Sequence, residues 1–445
     1  MRDRAIRTVI VLPCLCVAFY FGMQALASLS HYDAYASAPP HLLRYIVGPG
    51  LISLAFLLTA WLAPRPFTLQ VGACGLAALI AMFAFEAFTT FRTMPKMLGF
   101  LDTGPAAAAA ASEVRVPDYT PGSLNAQLAT TTLRDSMLGG IPHAATFLCV
   151  DRGTPIVYEA DRYGFNNDDD AYERPLEIMV VGDSFIEGTC LPPGKDVVAR
   201  LRETHPGSVA MAVRGNGPLI ELASLGRFGP VLEPAHVVMA FFEGNDWRNL
   251  QAEISTPWIA EALSRDAEFG PAPAPAATIE RAREVLTERN DISRRDVWRE
   301  LAPGLMRNFV LLSHTTEALG LRYGAVPPDQ PEFTQILERG AKLARSWGGR
   351  FHLLYIPKVD RYFGLLPNAA ARDVLRTKVL DAAAAAGVPV IDLVERLADL
   401  DDPLRFYDLE DAHFSEEGAL LAAQAIAEHL ADGPQAGLSA QAAAP

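Results

Sequence analysis

Between Thr8 and Leu29 the chain carries no charged side chain, a run of 22 residues. A helix of that length crosses about 30 Å of hydrocarbon. Arg2, Arg4 and Arg7 before it would also suit the start of a secretory signal peptide. Two further apolar runs argue against that reading. Tyr45–Ala63 is free of charge, and Thr68–Phe91 is interrupted only by Glu86. Core helices of a soluble domain would be shorter and more amphipathic. The head of the chain, 1–100, is therefore expected to be an anchor of three transmembrane helices at 8–29, 45–63 and 68–91. The Arg cluster at the start favours a cytoplasmic N-terminus, and an odd number of spans then carries the rest outside the cytoplasm. An acid inside a span is a functional candidate. Glu86, close to the end of the third run, is expected to snorkel into the interface instead.

Charge separates this head from the body. Residues 1–100 hold seven Lys/Arg against three Asp/Glu, whereas the whole chain has a net charge of −14, so the remainder is strongly acidic. Nucleic acid is thereby excluded as the main partner, because binding it requires cations on phosphates. The Ala-rich Gly104–Ser112 marks a linker, 101–142. Short apolar runs then alternate with helical patterns. Glu177–Gly182, Ser208–Val213, Val237–Phe242, Phe351–Ile356 and Val388–Leu393 read as strands. Helices are expected near 194–204, 218–228, 332–347, 368–386 and 415–431. Such alternation predicts an α/β fold, a parallel sheet of about five strands covered on both faces, over 143–432. Residues 250–330 interrupt it as an insertion, and 433–445 form a Gly/Ala-rich tail expected to be disordered.

In such a sheet the chemistry lies beyond the C-terminal strand ends. The first strand runs into Gly182-Asp183-Ser184-Phe185-Ile186-Glu187-Gly188, where a Ser at a strand-to-helix turn can project its hydroxyl. The second ends in Gly215-Asn216-Gly217-Pro218, a turn with accessible N–H groups, and the third in Glu243-Gly244-Asn245-Asp246. Near the C-terminus, Asp408-Leu409-Glu410-Asp411-Ala412-His413 supplies acids and an imidazole before a helix. A nucleophile, a base with an acid to orient it and oxyanion donors are all present. No metal-ligand cluster stands out.

These motifs, in this order, resemble the SGNH/GDSL hydrolases, over roughly 145–432 with 250–330 unmatched. The resemblance implies a flavodoxin-like α/β/α sandwich that hydrolyses or transfers acyl esters without a cofactor. It assigns Ser184 as nucleophile and His413 as base. The N–H groups of Ser184 and Gly215 and the side chain of Asn245 become the oxyanion hole. The strings at 161–167 (DRYGFNN), 215–223 (GNGPLIELA) and 241–246 (FFEGND) look like a bacterial, membrane-linked branch associated with surface polysaccharide. The implied substrate is an acylated glycan, the implied location the periplasmic side of the inner membrane, and the implied partners polysaccharide-assembly membrane proteins. Asp411 is the favoured triad acid, with Glu410 and then Asp408 behind it. Ala210 and Ala212 depart from the family's pattern, and Arg214 reads as a source of positive potential, an anionic-sugar contact or a solvated loop residue. The competing expectation is a non-catalytic carbohydrate-binding or complex-assembly subunit.

Cysteine usage adds a test of compartment. Cys14, Cys16 and Cys74 fall in the apolar runs; only Cys149 and Cys190 belong to the body. Outside the cytoplasm these two can pair, and closing ~40 residues would stabilise by roughly 4 kcal/mol in the chain-entropy model. The alternative is two buried thiols.

Overall fold

A computed structural model describes residues 2–431 apart from 31, 33–34, 36–38, 100–118, 152–153, 290–293, 322–326, 366–368 and 410. The expected Gly104–Ser112 linker core, the tail at 433–445 and Glu410 lie outside the described residues. The chain divides into two compact units, one of residues 1–97, 293–328 and 360–376, the other of 98–292, 329–359 and 377–445.

The first unit holds three helices long and apolar enough to cross a membrane, Ile6–Leu29, Pro39–Leu62 and Arg65–Arg92. The second span starts earlier than its apolar run at Tyr45, with a π-helical stretch at Leu43–Val47 leading into Gly48–Leu62. Small residues set the close approach of these helices. A Cβ on Gly72 would lie 2.9 Å from Cys14 Sγ, and one on Gly75 would lie 2.5 Å from the Phe56 ring. Ser53 Oγ donates to Ala18 O across the first pair, at 2.8 Å.

Part of the 250–330 insertion belongs to this unit. Helix Arg294–Val310 leads to the short helix Ser313–Ala318, and Leu312 packs among Val17, Leu79, Tyr20 and Phe83. Glu86 does not snorkel. Its side chain is fully buried, and its carboxylate accepts from His314 N (3.0 Å), Thr315 N (2.8 Å) and Thr315 Oγ1 (2.9 Å). Those N–H groups open a helix and lack intrahelical partners, so a carboxylate beside them is both hydrogen-bonded and favoured by the helix dipole.

The second unit contains a five-stranded parallel sheet in the order β4-β3-β5-β6-β7. The strands are β3 (Ile178–Gly182), β4 (Ser208–Ala212), β5 (His236–Phe242), β6 (Arg350–Ile356) and β7 (Val390–Asp392). The interiors of β3, β4 and β5 are fully buried, as their unbroken Val/Met/Ala/Phe runs require of strands covered on both faces. Helices cover it in two pairs: Pro218–Leu232 packs on Pro331–Ser346, and Val197–Arg202 on Glu416–Ala431. β7 is shorter than its apolar run. Pro389 has no N–H to give the ladder, and the Asp392 side chain turns to cap the next helix at Val394 N, 2.9 Å.

Two features precede the sheet. An antiparallel hairpin, β1 (Ala145–Asp151) and β2 (Thr154–Glu159), is joined to the nucleophile turn through a Cys149–Cys190 disulfide with Cα atoms 5.5 Å apart. Residues 119–142, expected as linker, are packed: Tyr119, Leu124, Leu133, Leu138 and Ile141 are buried. They are held by polar side chains distant in sequence. Arg227 donates to Leu133 O and Ser136 O, and burial pulls its pKa down to about 10.

Candidate active site

The strand order reverses between β3 and β5, and in a doubly wound sheet the crevice at that reversal receives ligands. Ser184 follows β3 and Asn245 follows β5. The Asp183 side chain caps the four-residue helix Ser184–Glu187 by accepting from Phe185 N at 3.0 Å, which stands Ser184 at the first position of that helix. The turn closes at Gly188, whose φ of +86° is left-handed and whose Cβ position lies 2.6 Å from Asp196 Cβ. Only Gly fits there.

Ser184 Oγ lies 2.9 Å from His413 Nε2. The imidazole is held on its other side by the loop after β7. His413 Nδ1 is 3.7 Å from Asp411 Oδ2, and Asp411 Oδ1 accepts from His413 N at 2.9 Å. His413 Nδ1 and Asp411 Oδ2 have no hydrogen-bond partner among the described residues. Between them Ala412 sits at φ +66°, a left-handed conformation that costs roughly 1–2 kcal/mol for a residue with a Cβ. Asp408 supports this loop through its backbone, its N–H donating to His413 O at 2.9 Å. The Phe185 ring, with its centroid 4.9 Å from that of His413, packs against the imidazole.

Asn245 reaches the same turn. Asp183 Oδ2 lies 3.5 Å from both Asn245 Nδ2 and Ser184 Oγ. Gly215 has a φ of +78° and is drawn to the nucleophile turn from both sides. Asn216 Nδ2 donates to Gly182 O at 3.1 Å, and Arg214 N donates to Glu187 Oε2 at 2.8 Å. Ser184, Asp411, His413, Gly215 and Asn245 thus converge on one edge of the sheet.

Arg214 is neither a solvated loop residue nor turned toward a ligand. Its guanidinium pairs with the fully buried Glu187 (Nε to Oε2, 3.0 Å) and donates to Phe147 O and Leu148 O of β1. Tyr158 Oη of β2 donates to the other carboxylate oxygen, Glu187 Oε1, at 3.3 Å. Glu187 therefore ties together the nucleophile helix, the Gly215 turn and the hairpin. It lies in the string that carries Ser184, where no local pattern sets a buried Glu apart from a surface one. The 161–167 string is structural in the same way. Asn166 Nδ2 donates to Glu187 O at 2.8 Å, and Asn167 exchanges two hydrogen bonds with Ala210 of β4.

Below the turn lie four buried acids, Asp183, Glu221, Asp246 and Glu253. Burial pushes the pKa of each one up, and their proximity pushes Glu221 and Asp246 well above the usual carboxylate range. Glu253, which accepts from Gly217 N and Leu219 N at the start of helix Pro218–Leu232, is raised to about 7. Among the described residues no group of three or more His, Cys, Asp or Glu is placed to hold a metal ion.

A family model described as "SGNH hydrolase-like domain, acetyltransferase AlgX" matches residues 361–444, a stretch that includes Asp411 and His413 but not Ser184. No curated protein sequence matches the chain. Among solved structures, TesA is similar at 14% identity and a TM-score of 0.31, covering 57% of this chain and 98% of its own. A lipase/acylhydrolase from Enterococcus faecalis matches at 14% identity and 0.32, covering 57% and 95%. A GDSL-like lipase from Bacteroides thetaiotaomicron matches at 12% and 0.29, covering 59% and 89%.

Proposed function

We propose that the chain is an SGNH/GDSL-type enzyme, a membrane-anchored serine esterase or O-acyltransferase whose substrate is an O-acylated carbohydrate; the SGNH hydrolase-like model over 361–444 supports this reading. The observation that carries this reading is the 2.9 Å approach of Ser184 Oγ to His413 Nε2. Ser184 attacks the acyl carbonyl as His413 takes its proton, and the imidazolium then protonates the leaving alkoxide. Asp411 orients and stabilises that imidazolium. Its 3.7 Å separation from Nδ1 shortens as charge develops, since hydrogen bonds of this kind tighten on the reaction path. The N–H groups of Ser184 and Gly215 and the Asn245 amide hold the oxyanion.

Water as acceptor gives hydrolysis; a sugar hydroxyl gives transfer. The glycan reading rests on the motif strings and on the acetyltransferase named in the family model. Three spans with a basic N-terminus support placing the body on the periplasmic side, where the Cys149–Cys190 disulfide persists. Labelling of the full-length protein by a fluorophosphonate, lost in Ser184→Ala, followed by acetate release from or acetyl transfer to polysaccharide, tests the proposal. Folded protein that is neither labelled nor active, and that purifies as a defined hetero-complex, would instead make it an assembly subunit.

A further inference from the structure

The membrane-spanning unit contains a cavity of ≈ 640 Å³, within the size range of ligand pockets. It is walled by the first span at Tyr20 and Phe21, by the start of the second, by Met82 of the third, and by 312–321 of the insertion. Those contacts run from Pro39, at one end of the second span, to Ile52 and Met82 well inside the second and third, on the side of the bundle where Leu29, Pro39 and Arg92 end the spans. The cavity therefore begins near the headgroup level and extends into the hydrocarbon layer. Its walls are overwhelmingly apolar, and among the described residues lining it Arg44 is the one that carries a charge. The neighbouring acid, Glu86, is engaged by His314 N and the Thr315 N–H and hydroxyl. Arg44 is held in place: Nε donates to Leu321 O at 2.6 Å, and the guanidinium carbon lies 5.0 Å above the Tyr45 ring.

We propose that this cavity is a binding site for an anionic glycerophospholipid, one acyl chain filling the apolar recess and the phosphate resting on Arg44. The physical grounds are two. A void with apolar walls forfeits dispersion contacts and offers water too few polar partners, so in a bilayer an acyl chain fills it. A guanidinium at the edge of hydrocarbon needs an anion, and its planar fork suits phosphate. Basic pockets between spans recognise lipid headgroups in this way. A zwitterionic lipid brings its own ammonium to compete with Arg44; phosphatidylglycerol does not. The site lies apart from Ser184 in the chain's division into units and does not depend on the esterase reading.

Full-length protein, delipidated in detergent, is titrated with dioleoyl phosphatidylglycerol or dioleoyl phosphatidylcholine and read by native mass spectrometry. Phosphatidylglycerol should be retained about fivefold better, the factor expected for one cationic side chain at the membrane surface. Arg44→Gln should abolish the preference, Arg44→Lys should keep most of it, and Leu319→Trp, which fills the recess, should weaken retention of both lipids. A diazirine on the acyl chain should label peptides containing 20–24 and 312–321. Circular dichroism and detergent-stable monodispersity establish that each variant is folded. Equal retention of the two lipids, an Arg44→Gln protein with the wild-type preference, or labelling spread evenly over the exposed faces around Phe85–Phe91 would mean annular lipid only and overturn the proposal.

Discussion

Glu187→Gln is the substitution that most directly tests how the candidate site is held. The carboxylate is fully buried and the Arg214 side chain is 11% exposed. Removing the negative partner leaves a guanidinium in a low-dielectric setting, and breaking a buried pair from one side costs about 3–5 kcal/mol. For a unit of this size that lowers Tm by about 10 °C. The same carboxylate accepts from Arg214 N, one residue before Gly215. Loosening it displaces Gly215 N, the oxyanion donor proposed above, and a displacement of that order can cost about 10²-fold in kcat with little change in KM. Scanning calorimetry and steady-state kinetics on a small soluble ester give both numbers. Glu187→Met/Arg214→Met is the control. With both charges gone, its stability loss should be smaller than the sum of the single losses. An E187Q protein with wild-type Tm and kcat, or single losses that simply add, would refute the reasoning.

Ser184→Ala and His413→Ala should each abolish ester turnover to nearly the same residual rate, with no further loss in the double variant, and Asp411→Asn should cost more kcat than Glu410→Gln; the reverse order would transfer the acid's role. Asn245→Ala should lower kcat by about 10²–10³ while the urea midpoint stays near wild type, because its amide matters when negative charge develops. Glu253 binds a proton in the folded state up to about pH 7 but not above its ordinary 4.5 when unfolded. Its contribution is therefore complete below 4.5 and is lost as pH rises to 7, a change of about 3 kcal/mol. Urea titrations at pH 4.5, 6 and 7.5 should show that Glu253→Gln flattens this decline; an unchanged slope would assign it to Glu221 and Asp246.

The strands were legible because β3, β4 and β5 are buried on both faces and each apolar run is short and bounded by a residue that ends it. Gly182 and Pro389 are examples, and the observed ends move by one or two residues where a polar group takes over, as Asp392 does. The convergence of Ser184, Asn245 and His413 was legible for a related reason. A parallel sheet delivers every strand's C-terminal end to one edge, so motifs far apart in sequence need only follow strands to meet. The hairpin and the packed stretch from Tyr119 were not legible. The Cys149–Cys190 link was expected, but their other partners are Arg227 and Arg214, tens of residues away, and nothing in a local pattern marks an Arg as buried.

Glu86 shows the same limit more sharply. Read locally, an acid five residues short of the end of an apolar run belongs at the interface, since an unpaired carboxylate in hydrocarbon is costly. That cost is what the fold removes. The donors come from His314 and Thr315, 228 and 229 positions later, on a helix whose own first N–H groups need an acceptor. Neither end is stable alone: the carboxylate would be driven to the interface, and the inserted helix would leave N–H groups unpaired in an apolar layer. Each makes the other's position tolerable. The pairing joins the third apolar helix to the insertion that interrupts the sheet, and nothing in the run around Glu86 could have announced it.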